Sequence, residues 1–91
     1  NMSVADSIQS KLNEAFSPTR LSITDESHLH AGHVGARAEG ETHFRVDIVS
    51  SAFVGIARVE RQRMIYRVLA EEISDRVHAL ALQVRTPQET I

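Results

Sequence analysis

The chain has 91 residues, with ten Lys and Arg set against twelve Asp and Glu, five His and no Cys. That length allows one domain, 1–91, and a formal charge of −2 provides no global basic field for nucleic acid. The absence of Cys excludes disulfides and any thiolate donated to a metal, so a metal ligand from this chain must be His, carboxylate or backbone.

Aromatic residues are sparse (Phe16, Phe44, Phe53 and Tyr66), which leaves the core to Val, Ile, Leu, Ala and Met. No apolar run approaches the roughly 18 residues a membrane span needs, and no membrane role is expected. The start of the chain is polar and amphipathic, unlike a secretory h-region. Asn1 reads as a remnant ahead of Met2 as natural start, and a bacterial cytoplasm is the expected location.

In chain order, Val4, Ile8, Leu12, Ala15 and Phe16 recur at helical spacing and predict a first helix over 4–16. Ser3 is placed to cap it, and Ser17-Pro18 ends it. Leu21 and Ile23 alternate with polar residues, predicting a strand over 20–25. The segment 26–40 has poor periodicity, three Gly and three His, and reads as a long loop of the kind that often carries function. In the predicted strand 41–50, Phe44, Val46 and Ile48 face one way, and His43, Arg45 and Asp47 the other.

A turn at 51–55 precedes the longest predicted helix, 57–77, whose apolar arc holds Ala57, Met64, Ile65, Val68, Leu69 and Ile73. Its polar arc is expected to carry an Arg67–Glu71 pair and a Glu60–Arg63 pair. Leu80, Leu82 and Val84 predict a third strand over 79–85, and 87–91 a terminal helical turn. The economical architecture is a three-stranded mixed sheet with both helices on one face.

Four segments, "LSITDESHLH" at 21–30, "GETHFRVDIVSSAFVG" at 40–55, "ERQRMIYRVLAEEI" at 60–73 and "VHALALQVRT" at 77–86, occur in an order and spacing similar to the BolA family. Gln62 is a departure, because the family usually has His there. The resemblance implies an α/β (α+β) class II KH-like fold, ordered α-β-β-turn-α-β. It also implies a monothiol glutaredoxin partner with a Cys-Gly-Phe-Ser motif, sharing a [2Fe-2S] cluster, with glutathione arriving alongside the partner. The family's ligands are a His before the last strand, matching His78, and a His or Cys in the first hairpin loop. His30 and His33 are the loop candidates, with His43 a third possibility. Paired imidazoles on one iron are known chemistry, and the cluster's other iron needs thiolates from elsewhere. Without its partner the chain is expected to be a monomer.

Plainer roles stand beside these. An exposed His is ordinarily a solvated side chain, and His78 has the alternative role of a helix C-terminal cation. His43 could serve as a cross-strand partner on the outer sheet face. Simple zinc binding by His28, His30 and His33 is weaker, since the spacing lacks helical i,i+4 geometry. A KH-like fold also raises nucleic-acid binding and transcriptional regulation, with Arg58, Arg61 and Arg63 as contacts, although no GXXG loop stands in the appropriate place. Arg58 and Arg61 fall on the apolar arc, where their stems would pack and their heads pair. Catalysis is not expected: Asp25, Ser27 and His28 form no nucleophile motif.

Overall fold

The structure, a computed structural model, describes residues 2–30 and 40–91. Helix α1 (Val4–Phe16) begins where expected, with Ser3 Oγ accepting from the Asp6 N–H at 3.1 Å. Its first turn has a second cap from far along the chain: the Glu41 carboxylate accepts from Val4 and Ala5 N–H at 3.2 and 3.3 Å. The helix ends at Ser17, which turns left-handed (φ 43°) and returns its N–H to Asn13 O. Ile8, Leu12 and Phe16 form its buried stripe.

Strands β1 (Arg20–Asp25), β2 (His43–Val49) and β3 (Ala79–Arg85) form one sheet in the order β1-β2-β3. β1 pairs antiparallel to β2, and β3 pairs parallel to it, giving the expected mixed sheet. Phe44, Val46 and Ile48 of the central strand are buried in the core with Ile65, Leu69 and Phe53, and Phe53 packs on Phe16 at 4.9 Å between ring centres. The other face carries Arg45, paired with Glu26 at 3.1 Å, and Asp47, facing Arg85 at 3.5 Å. One face is therefore covered by helices and the other wears charge, as period-2 alternation requires.

Four expectations are corrected in detail. The second strand is shorter than 41–50 because Gly40 (φ 77°) and Glu41 (φ 62°) are left-handed and cannot continue an extended run. At its other end, Ser50 keeps its backbone N–H on Arg85 O (3.0 Å) but turns its hydroxyl to Phe16 O at 2.6 Å and accepts from Ala52 N–H at 3.0 Å. The long loop is not structureless at its start, where Ser27–His30 closes a 3-10 turn. The longest helix is two, α2 (Arg58–Val68) and α3 (Ala70–Asp75), broken at Leu69 (φ −101°, ψ 20°). Leu69 is wholly buried, so packing sets its dihedrals where no Gly or Pro marks a break. Finally, Arg67 bonds Glu60 at 2.8 Å, while Glu71 turns to Lys11 of α1 at 2.9 Å; the Glu60–Arg63 pair forms at 3.5 Å. An interhelical cation takes the place of the local one, since Lys11 bridges Glu71 and Glu72 (2.8 Å) at once.

Candidate functional site

The parallel register sets His43 opposite Ala79, so His78 stands next to Thr42 where β2 and β3 begin. Thr42 O accepts from both His78 N–H (2.6 Å) and Ala79 N–H (3.1 Å), which fixes this rim through the backbone. The rings of His43 and His78 pack with centres 5.2 Å apart, tilted by 51°. His78 is exposed and His43 is buried, with 7% of its surface accessible.

Beneath the two rings lies a polar chain. Asp25 ends β1, and its Oδ1 accepts from the Ser27 N–H at 2.9 Å and the Ser27 hydroxyl at 2.5 Å, while Oδ2 accepts from Glu41 N–H at 3.0 Å. Ser27 Oγ in turn accepts from Thr42 N–H (2.9 Å) and His43 N–H (3.2 Å). Thr42 Oγ1 lies 2.8 Å from His43 Nδ1 and 3.3 Å from Ser27 Oγ. Partial burial pushes the Asp25 carboxyl up, but the hydrogen bonds from Ser27 and Glu41 outweigh it and hold the group below its usual range. The chain is thus anchored on a charged acceptor at neutral pH. Gly40 belongs to the same corner: a Cβ there would come within 3.3 Å of Asp25 Oδ2, on a left-handed backbone.

Of the predicted ligands, the fold brings His78 and His43 together. His33 and the side chain of His30 lie outside the described residues, and His28 is exposed. Among the described residues no group of three or more His, Asp or Glu is arranged to hold a metal. The exposed His78 imidazole is a donor that a metal could take, and because the chain has no Cys any thiolate beside it would come from another molecule.

The arginines are elsewhere. Arg61 is buried, with Nε donating to Ile56 O (2.8 Å), Nη1 to Val84 O (3.1 Å), and both Nη atoms to the Glu89 carboxylate (2.7 and 3.2 Å). It packs and pairs, as its place on the apolar arc implies, and is not a surface contact. Arg58 and Arg63 are exposed. This corner lies at the far end of β3 from His78, about 20 Å away at strand rise. An open groove of about 410 Å³ lined by Lys11, Glu14, Ala15 and Val68 includes no residue of the histidine rim.

Asp25, Ser27 and Thr42 were not foreseen as site residues. A signal for them did exist, because the Asp-Glu-Ser, Thr-His-Phe and Val-His-Ala-Leu stretches are the ones that meet at this rim.

A family model described as BolA-like protein matches residues 12–89. An uncharacterized protein in the cobS 5' region of Sinorhizobium sp is 48% identical over 89 residues, covering 97% of this chain and 96% of that one. BolA-like protein 1 of Homo sapiens is 46% identical over 86 residues, covering 94% of this chain; the chain spans 60% of that relative's length. A protein of Haemophilus influenzae named DNA-binding transcriptional regulator BolA is 42% identical over 88 residues, covering 97% of this chain and 82% of that one. Among solved structures, the BolA domain of SufE1 from Arabidopsis thaliana superposes with a TM-score of 0.88 at 40% identity, covering 98% of each chain.

Proposed function

This chain belongs to the BolA-like family, and from that premise we propose that it is an adaptor that binds a monothiol glutaredoxin and co-ligates a [2Fe-2S] cluster in iron–sulfur trafficking or iron regulation. His78 is the fixed ligand and a hairpin-loop histidine, His30 or His33, the second. His43, packed against His78, is either a further ligand or a support. The observation that carries this reading is the exposed His78 ring, held at the sheet rim by two backbone hydrogen bonds to Thr42 O. An imidazole so placed can reach a metal carried by another protein. The cluster when bound supplies the redox-active iron; this chain supplies neutral nitrogen donors and a rigid rim.

The test is to add the protein to a cluster-loaded glutaredoxin of the Cys-Gly-Phe-Ser type and record visible absorption and circular dichroism. A changed cluster spectrum with wild type, lost in His78→Ala, is expected. An unchanged spectrum with wild type overturns the proposal.

A second reading, a nucleic-acid-binding transcriptional regulator, is favoured by the name of the Haemophilus influenzae relative and by exposed Arg58 and Arg63. Against it, Glu60 pairs with both Arg63 and Arg67 and cancels part of their field. DNA binding that weakens steeply with salt and is lost in the Arg58→Ala, Arg63→Ala double variant would favour it.

A further inference from the structure

Hydrogen-bond capacity at the rim decides which nitrogen of His43 carries the proton. An ionised carboxylate only accepts, so the Ser27 hydroxyl proton points at Asp25 Oδ1, 2.5 Å away. That leaves Ser27 Oγ two lone pairs, and the N–H groups of Thr42 (2.9 Å) and His43 (3.2 Å) occupy them. The oxygen is then saturated. A third donor, the Thr42 hydroxyl at 3.3 Å, finds no acceptor site there. Its other neighbour is His43 Nδ1, closer at 2.8 Å.

We infer that Thr42 donates its hydroxyl proton to His43 Nδ1, so that neutral His43 carries its own proton on Nε2 and acts as a positioning residue for His78, not as a cluster ligand. With Nδ1 accepting from Thr42 and Nε2 protonated, neither nitrogen of this tautomer presents a lone pair to a metal. The polar chain from Asp25 instead fixes the plane of a buried ring, and that ring forms one wall against His78. The arrangement is the kind of outer support that orients a ligating imidazole, with the supporting group itself locked by hydrogen bonds. The part of this inference that concerns a cluster rests on the proposed function; the tautomer does not.

Two measurements test it. Long-range proton–nitrogen correlation spectra of the uniformly labelled apo protein at neutral pH report the tautomer directly. The expected result is a His43 Nε2–H with an unprotonated, hydrogen-bonded Nδ1; an Nδ1–H tautomer overturns the inference. The second measurement uses His43→Gln, whose amide nitrogen sits near the Nε2 position and keeps a donor, and His43→Asn, which does not. With cluster-loaded glutaredoxin, His43→Gln is expected to retain the changed cluster spectrum with an affinity within about threefold of wild type, and His43→Asn to weaken it further. Loss of the spectrum in both variants, as in His78→Ala, would make His43 a ligand and overturn the positioning role. If wild type itself leaves the cluster spectrum unchanged, the proposed function falls, and the nitrogen spectra alone decide the tautomer.

Discussion

The two ends of the β2–β3 pair are closed by different chemistry. Where the strands finish, an ionised side chain does it: Arg61 is buried against two carbonyls and, through both Nη atoms, the Glu89 carboxylate. Where they start, hydroxyls and imidazoles do it, in a chain that leads from the Asp25 carboxylate through the Ser27 hydroxyl and Thr42, whose N–H donates to Ser27 Oγ, to His43. A guanidinium with its fork engaged on three sides has one arrangement and is unsuited to meeting another molecule. The hydroxyls and imidazoles beyond the Asp25 carboxylate cost less to desolvate than a buried charge, and the outermost ring, His78, is exposed. The same sheet thus has a locked end and a receptive one.

The sharpest way to break this comparison is to remove the lock. Arg61→Ala strands the Ile56 and Val84 carbonyls without donors and is expected to lower stability by about 3 kcal/mol in urea denaturation, with Arg61→Lys recovering only part. A loss under about 1 kcal/mol would mean that the corner is not structural.

Acid tests the same corner from the other partner. Hydrogen bonds from Arg61 and from Thr86 N–H hold the Glu89 carboxyl at about 2, against an ordinary 4.5. Because the folded value is depressed, the contribution is complete above the ordinary value and is lost as pH falls toward about 2. Denaturation midpoints should therefore drop across that window in wild type and drop less in Glu89→Gln. Parallel curves would place the acid sensitivity elsewhere.

The smallest effect belongs to the receptive end. His78→Ala, at an exposed ring, is expected to change stability by no more than about 0.5 kcal/mol. A larger loss would make His78 structural, and the contrast between the ends would fail.

Much of the fold was legible because periodicity is local. The bounds of α1, β1 and β3 follow from apolar spacing within each segment, and the mixed sheet with covering helices follows from one apolar face per element. Leu69 was not legible, because its dihedrals answer to packing around a buried side chain in a sequence with good helix formers on either side. Nor was Glu41, a left-handed non-glycine residue whose carboxylate accepts from the distant N–H groups of Val4 and Ala5. The site was half legible. Resemblance pointed to His78, and alternation set His43 on the outer sheet face, but their contact depends on the parallel register, which no single segment encodes. Asp25 and Ser27 look like turn residues until strand pairing brings Thr42 against them. Arg61 was foreseen as a packed stem, while its carboxylate partner, 28 residues further on, was not.

The borrowed cap on the first helix couples motions that would otherwise be separate. Val4 and Ala5 hand their amides to a carboxylate 37 and 36 positions downstream, two residues before β2. Any fluctuation that lifts Glu41 removes the second of the helix's two caps and, through the Glu41 N–H, frees Asp25 Oδ2 of a donor. Helix opening and rim loosening therefore form one cooperative unit, so a partner that grips the rim would also slow the fraying of the first helix.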